Sequence, residues 1–144
     1  MIVQIIMGSD HGGYELKEAL KESLSQNKAL SIDDMGTLST ESVDYPDIAD
    51  AVAKKVLAEK AIGILCCGTG IGISIRANRH KGIRAAVVFN EFTAEMAKKH
   101  NNANILCLGG RTTTLAAALT YVNLWLKHDF EGDRHLRRIK KLDA

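Results

Sequence analysis

The segment best suited to chemistry runs Cys67-Gly68-Thr69-Gly70-Ile71-Gly72 and combines a cysteine with glycines at alternate positions. Glycines in this pattern let backbone N–H groups turn inward towards an anion, and the helix expected after them adds its positive end. The same field would favour a thiolate at the edge of the loop. The segment predicts a cysteine base or nucleophile beside a phosphate site or an oxyanion hole. A tight strand-to-helix turn with a buried cysteine is the structural alternative.

Three familiar anion-binding motifs do not fit this spacing. A dinucleotide-binding fingerprint needs its third glycine where Ile73 stands, and a P-loop needs a lysine after its last glycine. A cysteine phosphatase needs an arginine close behind its nucleophile, and Arg76 is too far along the chain.

Two further segments carry acid–base or polar groups. Asp10 and His11 lie side by side among glycines after a strand-like run, where they can contact a polar ligand. The alternative is a helix N-cap at Asp10 and a solvated His11. His100 is a side chain suited to acid or base work near neutral pH, and Asn101 beside it can hold a hydroxyl. The alternative there is a basic helix end followed by an asparagine-rich turn.

Three arginines are candidates for binding a phosphate. Arg111 follows Gly109-Gly110, and Arg134 and Arg138 stand four residues apart, so they share a face if the segment is helical. Forked guanidinium groups on one face suit a phosphate monoester. The alternative is a solvated basic tail, because charge runs are usually solvated.

Composition limits the class of protein. The chain has 144 residues, 46% of them hydrophobic and 25% charged, which predicts a single domain over residues 1–144 with a sizeable core. A net charge of +2 and 5% aromatic residues argue against a nucleic-acid partner. No apolar run suits a membrane span, and the amino terminus does not resemble a signal peptide. Cys66 and Cys107 are expected to pack in the core, and the cysteine pattern favours a reducing cytoplasm without a zinc motif.

Strand-like apolar runs alternate with amphipathic helical stretches, which predicts a parallel sheet with helices on both faces. The expected strands are Ile2–Met7, Ala29–Ile32, Ala61–Cys67, Ile83–Phe89 and Ile105–Leu108. The expected helices are Tyr14–Leu24, Asp47–Glu59, a stretch after Gly72 to about His80, Glu91–Lys99, Thr113–Leu126 and Arg134–Lys141.

Ligands of such sheets bind at the carboxyl ends of the strands. This rule selects four loops, and we expect every unusual residue of the sequence to lie in or beside one of them. The loops are Gly8–Gly13, Gly36–Pro46, Gly68–Gly72 and Gly109–Thr112.

Six stretches in this order resemble type B ribose-5-phosphate isomerases, a family grouped with the subunits of galactose-6-phosphate isomerase. They are GSDHGGYELK, SVDYPD, CGTGIGISIRAN, GIRAAV, HNNANILCLGGR and EGDRHLRRI. The resemblance implies a Rossmann-like, three-layer α/β/α fold with a five-stranded parallel sheet. It also implies an enzyme that interconverts aldose and ketose phosphates without a metal or cofactor, as a homodimer or a dimer of dimers.

The resemblance also implies roles for individual residues. Cys67 would be the base that moves a proton between adjacent substrate carbons, and Gly68–Gly72 would hold the enediolate oxygen. His100 would be the acid that opens the furanose ring, with Asp10 and Thr69 assisting at hydroxyls. Other residues would bind the sugar or surround its phosphate, some of them across a subunit interface: Asn101, His11, Tyr45, Arg111, Arg134 and Arg138.

Two departures from the family pattern bear on these roles. The family often has aspartate where this chain has Asn102, and a lost charge there would act on His100. A subgroup uses a glutamate after the last glycine as its base, and Ile73 in that place indicates the cysteine type. The resemblance therefore favours ribose 5-phosphate as the expected substrate, within the pentose phosphate pathway. An isomerase of allose or galactose 6-phosphate and a non-catalytic sugar-phosphate-binding module are the alternatives.

Overall fold

The computed structural model describes residues 1–144 and contains five strands and six helices that alternate along most of the chain. The strands are β1 (Val3–Ser9), β2 (Leu30–Asp34), β3 (Ile62–Cys67), β4 (Ala85–Val87) and β5 (Ile105–Gly109). The helices are α1 (Tyr14–Leu24), α2 (Tyr45–Glu59), α3 (Ile71–Ala77), α4 (Glu91–Lys99), α5 (Leu115–Lys127) and α6 (Arg134–Leu142).

All strands are parallel, in the order β2-β1-β3-β5-β4. Ile5 of β1 pairs with Ile32 of β2 on one side and with Ile62 of β3 on the other. After β2, on one side of β1, the chain crosses to β3 on the other, so the direction of winding reverses between β1 and β3. The carboxyl end of such a reversal opens a crevice in which ligands bind.

Two apolar clusters cover the two faces of the sheet, which gives the three layers that the sequence predicts. One cluster packs α1, α4 and α5 against the sheet, and the other packs α2 and α3. Their helical members recur every three or four residues, as in Leu16, Leu20 and Leu24 of α1.

Trp125 of α5 is fully buried in the first cluster. Its indole N–H donates to the carbonyl of Ala103 at 3.0 Å, and the Lys98 ammonium lies 5.2 Å from the ring centroid. This contact ties α5 to the segment that leads into β5.

Lys17 of α1 is also fully buried, and its ammonium bonds both carboxylate oxygens of Asp34, at 2.8 and 2.9 Å, and the carbonyl of Thr37 at 2.6 Å. Burial opposes ionisation of Asp34, but hydrogen bonds from Lys17 and Lys21 lower the pKa of its carboxyl below the usual value. The pair holds the loop after β2 against α1.

Two predicted elements are shorter than expected. The strand predicted over Ile83–Phe89 is confined to β4, at the edge of the sheet, because Arg84 and Phe89 already belong to its flanking turns. The helix predicted to about His80 ends at Ala77, since the Asn78 side chain pairs with the backbone of Ala85 at 2.7 and 2.9 Å. No helix combines the length and apolar character that crossing a membrane requires.

Candidate active site

Cys67 ends β3 beside the β1/β3 reversal, and its side chain points into the glycine loop. The residue is 5% exposed, and its Sγ accepts the backbone N–H of Gly70 at 3.1 Å. Gly70 has φ +81°, and a Cβ there would lie 3.0 Å from the backbone of Leu108. Only glycine fits this position without strain. The loop therefore presents a backbone N–H donor to the sulfur of Cys67.

The other two cysteines are confirmed as core residues. Both are fully buried. Burial raises the pKa of Cys66 to about 12 and that of Cys107 well above its usual value. Their thiols stay protonated and unreactive, which leaves Cys67 as the cysteine suited to proton transfer.

The loop after β1 brings Asp10 and His11 to the same edge. Asp10 is buried, donates its N–H to the Cys66 carbonyl at 3.2 Å, and accepts the N–H of Gly13 at 3.1 Å. Gly13, not Asp10, is the N-cap of α1. His11 accepts the N–H of Val43 at Nδ1, at 3.2 Å, so the proton of its neutral ring resides on Nε2 and can be donated to a ligand.

Arg111 and Tyr45 close this edge from two sides. The guanidinium of Arg111 lies over the glycine backbone, since a Cβ at Gly68 would be 2.8 Å from Nη1 and one at Gly12 would be 3.4 Å from Nη2. A Cβ at Gly72 would be 2.6 Å from Cζ of Tyr45. The predicted residues that share the carboxyl edge are Asp10, His11, Tyr45, Cys67, Gly68, Thr69, Gly70, Ile71, Gly72 and Arg111.

His100 and Asn101 lie at the opposite edge, so the expectation that every unusual residue lies near the four carboxyl-end loops was wrong. His100 caps the carboxyl end of α4, and the next strand, β5, begins at Ile105, which pairs with Gly63 near the start of β3. The helix runs antiparallel to the strands and returns the chain to their amino ends. Cys67 lies four residue steps after Gly63 along β3, a distance of about 13 Å at the rise of a parallel strand. His100 and Cys67 of one chain therefore lie at opposite edges of the sheet.

The predicted arginines of α6 belong with His100. Arg134 and Arg138 are exposed and flank His135, whose ring stacks on that of His100 with centroids 4.2 Å apart and planes 13° apart. Oε1 of Glu131 lies 3.6 Å from Nε2 of His100 and 3.7 Å from Nε2 of His135. The expectation that every unusual residue lies in or beside the four carboxyl-end loops was therefore also wrong for Arg134 and Arg138, because α6 places them near His100. The predicted site residues therefore fall into two groups, one at each edge of the sheet, which we call half-sites.

Comparison with known proteins identifies the family. The sequence model of the family described as Ribose/Galactose Isomerase matches residues 5–142. The chain belongs to the ribose/galactose isomerase family.

Similar members of the ribose/galactose isomerase family span nearly the same length. A putative sugar phosphate isomerase of Rickettsia bellii is 49% identical over 140 residues, 96% of either chain. The solved ribose-5-phosphate isomerase B of Clostridium thermocellum has 47% identity and a TM-score of 0.95, covering 98% of this chain and 95% of its own. That of Mycoplasma genitalium, solved with bound ribulose 5-phosphate, has 42% identity and a TM-score of 0.94, covering 99% of this chain and 95% of its own. The predicted Rossmann-like α/β fold is confirmed.

Sequence reasoning missed three residues that organise the half-site at the amino edge: Arg84, Glu131 and His135. Arg84 donates from Nε to the Asn101 carbonyl at 3.1 Å and from Nη2 to the Asn102 carbonyl at 3.0 Å, and its Nη1 donates to Asp143, the residue after α6, at 2.8 Å. Arg84 lies inside the GIRAAV stretch and His135 between the two predicted arginines. Their positions within these stretches could have identified Arg84 and His135 from the sequence. The residues that they contact could not be identified in the same way.

The cluster of His100, Glu131 and His135 has the composition of a metal site, with ligand atoms within 4.8 Å of one another. The lone pair of an imidazole nitrogen lies in the plane of the ring, and the two rings are stacked almost parallel. One cation cannot lie in both planes, so this arrangement does not fit a chelate. The carboxyl-edge half-site contains one thiol, one carboxylate and one imidazole, which is an acid–base set.

Proposed function

We propose that the protein interconverts ribose 5-phosphate and ribulose 5-phosphate, with Cys67 as the base. The observation that carries the proposal is the Cys67 sulfur held 3.1 Å from a backbone N–H of the glycine loop, at the crevice between β1 and β3. Membership of the family and a solved relative with bound ribulose 5-phosphate support the same substrate.

We infer that the enzyme is a homodimer, or a dimer of dimers, whose sites are completed across a subunit interface. The half-sites at the two edges cannot meet within one chain, whereas a two-fold axis brings the Cys67 edge of each subunit to the His100 edge of its partner. A two-fold interface repeats every contact, so each dimer holds two equivalent sites.

Ring opening comes first, because the furanose has no free carbonyl. His100 of the partner subunit donates a proton to the ring oxygen as the bond from that oxygen to C1 breaks, and the C1 hydroxyl gives up its proton. The products are the open aldehyde and the free C4 hydroxyl. Asp10 and Thr69 assist at the hydroxyls, and Asn101 of the partner subunit holds the sugar.

Proton transfer follows at the adjacent carbons. The Cys67 thiolate removes the proton from C2, and negative charge develops on the carbonyl oxygen at C1. Backbone N–H groups of Gly68–Gly72 stabilise that enediolate, and one such donor lowers a barrier by about 3 kcal/mol in comparable sites. The thiol then returns the proton to C1, and the proton of the C2 hydroxyl passes to the oxygen on C1, which leaves a ketone at C2 and a hydroxyl at C1.

Phosphate binding fixes the register of the sugar against Cys67. Nε2 of His11 and the guanidinium of Arg111 face the carboxyl-edge crevice, and Arg134 and Arg138 of the partner subunit supply two more cations. Tyr45 covers the glycine loop. Binding energy from this remote dianion aligns the reacting carbons.

The test is exchange of solvent deuterium into C2 of ribose 5-phosphate, followed by NMR, together with ketose formation. Wild-type protein and Cys66→Ala, the matched control at the neighbouring buried cysteine, are expected to exchange and turn over. Cys67→Ala is expected to lose at least about a hundredfold in kcat, the usual contribution of a general base. Phosphate binding without exchange in the wild type would leave only a binding module. Parallel kinetics with allose 6-phosphate and galactose 6-phosphate separate the five-carbon from the six-carbon substrates.

A further inference from the structure

Glu131 lies where one carboxylate oxygen faces two imidazoles. Its Oε1 is 3.6 Å from Nε2 of His100 and 3.7 Å from Nε2 of His135, and it is the only carboxylate within 4.0 Å of His100. Nε2 of His135 is buried and has no hydrogen-bond partner. The Glu131 carboxylate is therefore directed at the ring nitrogens of both histidines.

The position of Glu131 is set by its backbone. Its N–H donates to the carbonyl of Lys99 at 3.0 Å, next to His100, and so anchors the segment between α5 and α6 to the end of α4. The side chain remains 47% exposed. The carboxylate can consequently be replaced without opening a cavity in the core.

The stacked ring of His135 is the neutral partner of the pair. Desolvation, and after it the positive charge of Arg134, lower the pKa of His135 below its usual value. A neutral aromatic face attracts a cation placed over it. His135 is thus suited to support a charged His100 and not to share its charge.

The remaining charges around His100 are mostly positive. From α6, the charges of Arg134 and Arg138 act on the ring of His135, which is stacked on that of His100. From α4, Lys99 stands next to His100 and is paired with Glu95 at 2.6 Å. Without Glu131 these cations would disfavour protonation of His100.

The side chain of Asn102 makes no hydrogen bond to His100 and carries no charge, although the family often has a carboxylate there. The backbone carbonyl of Asn102 accepts from Arg84, and its side-chain amide forms no hydrogen bond. The carboxylate that faces His100 comes instead from a segment about thirty residues further along the chain.

We propose that Glu131 is a positioning residue that holds His100 protonated over the neutral ring of His135, ready to open the sugar ring. The role of His100 in this proposal rests on the proposed function. The coupling between Glu131 and His100 does not, because it is a property of the free protein.

The first test therefore uses no substrate. Histidine ring signals followed by NMR over a pH series give the titration midpoint of His100, assigned with His100→Asn. In Glu131→Gln the midpoint is expected about half a unit or more lower than in wild type, from the Coulomb attraction lost at this distance. Glu131→Asp, which keeps the charge, is expected to restore most of the difference. An unchanged midpoint in Glu131→Gln overturns the proposal.

The second test separates ring opening from proton transfer. Ribose 5-phosphate must be opened, whereas erythrose 4-phosphate cannot close a furanose because its O4 carries the phosphate. Glu131→Gln is expected to lower kcat/KM for ribose 5-phosphate about tenfold and to move the alkaline limb of its pH profile to lower pH. Turnover of erythrose 4-phosphate, or deuterium exchange into its C2, is expected to stay within twofold of wild type.

The two tests fail separately. Equal losses on both sugars would show that Glu131 only maintains the structure of the half-site and would overturn the proposal. A wild-type protein that converts neither sugar would refute the proposed function, while the NMR comparison would still decide whether Glu131 controls the protonation of His100.

Discussion

Two inactive variants of this protein should restore activity to each other. Cys67→Ala removes the proposed base from the carboxyl edge, and His100→Asn removes the proposed acid from the amino edge. These edges lie about 13 Å or more apart across the parallel strands, so in the proposed dimer the two residues of one chain contribute to different sites. A dimer with one subunit of each kind has one site with both defects and one site with none.

The magnitude follows from counting sites. Random pairing of equal amounts of the two variants makes about half of all dimers mixed, and each mixed dimer has one intact site of two. The expected activity is about a quarter of wild type at the same total protein concentration. Pairing of dimers into tetramers leaves this fraction unchanged, because each site still needs only two chains.

The assay is ketose formation from ribose 5-phosphate after the variants are unfolded and refolded together. Each variant refolded alone is the control and is expected to stay nearly inactive. A mixture no more active than the separate variants, with mixed dimers demonstrated by native mass spectrometry, would show that the site is completed within one chain.

Three further predictions concern stability, each measured by urea or thermal unfolding. Lys17→Met is expected to lower the free energy of unfolding by about 3 kcal/mol, because it breaks a buried ion pair; adding Asp34→Asn should recover part of the loss, and strictly additive effects would contradict this coupling. Gly70→Ala should cost about 1–2 kcal/mol through its left-handed backbone, and a neutral effect would contradict the strain argument. The Arg76 guanidinium lowers the pKa of Asp50 to about 2, so its contribution is complete above pH 4 and is lost as the pH falls towards 2. Asp50→Asn should therefore flatten the dependence of the free energy of unfolding on pH in that window. An unchanged slope would contradict the assignment of this pH dependence to Asp50.

The elements were largely predictable because each rests on a local pattern. The helices Tyr14–Leu24 and Glu91–Lys99 have the predicted bounds, and the strand ending at Cys67 follows from an unbroken apolar run. The order of the strands was not predicted, because pairing depends on which faces the helices cover. The short length of β4 was not predicted either, because it depends on contacts outside the strand. The N–H groups of the flanking residues Arg84 and Phe89 donate to the side chains of Asn104 and Thr93.

The candidate site divides in the same way. Residues of the Cys67 half-site follow strands directly, so the position of each strand end predicts them. Glu131 and Arg84 act through contacts between distant segments, and the Arg84–Asp143 pair joins residues 59 positions apart. Such contacts depend on how distant segments pack together, so no periodic pattern in the sequence predicts them. The edge to which His100 belongs follows only when the direction of α4 is considered.

The chain's single tryptophan gives the protein an intrinsic optical probe of one half-site. Trp125 is sealed from water and bonded to Ala103, three residues after His100, and its face lies against the Lys98 ammonium. Its fluorescence should therefore respond to rearrangement at the amino edge of the sheet and change little when a ligand binds at the carboxyl edge, where Cys67 lies. Substrate titrations followed by tryptophan emission would then register binding at the proposed His100 half-site separately from binding at the Cys67 half-site.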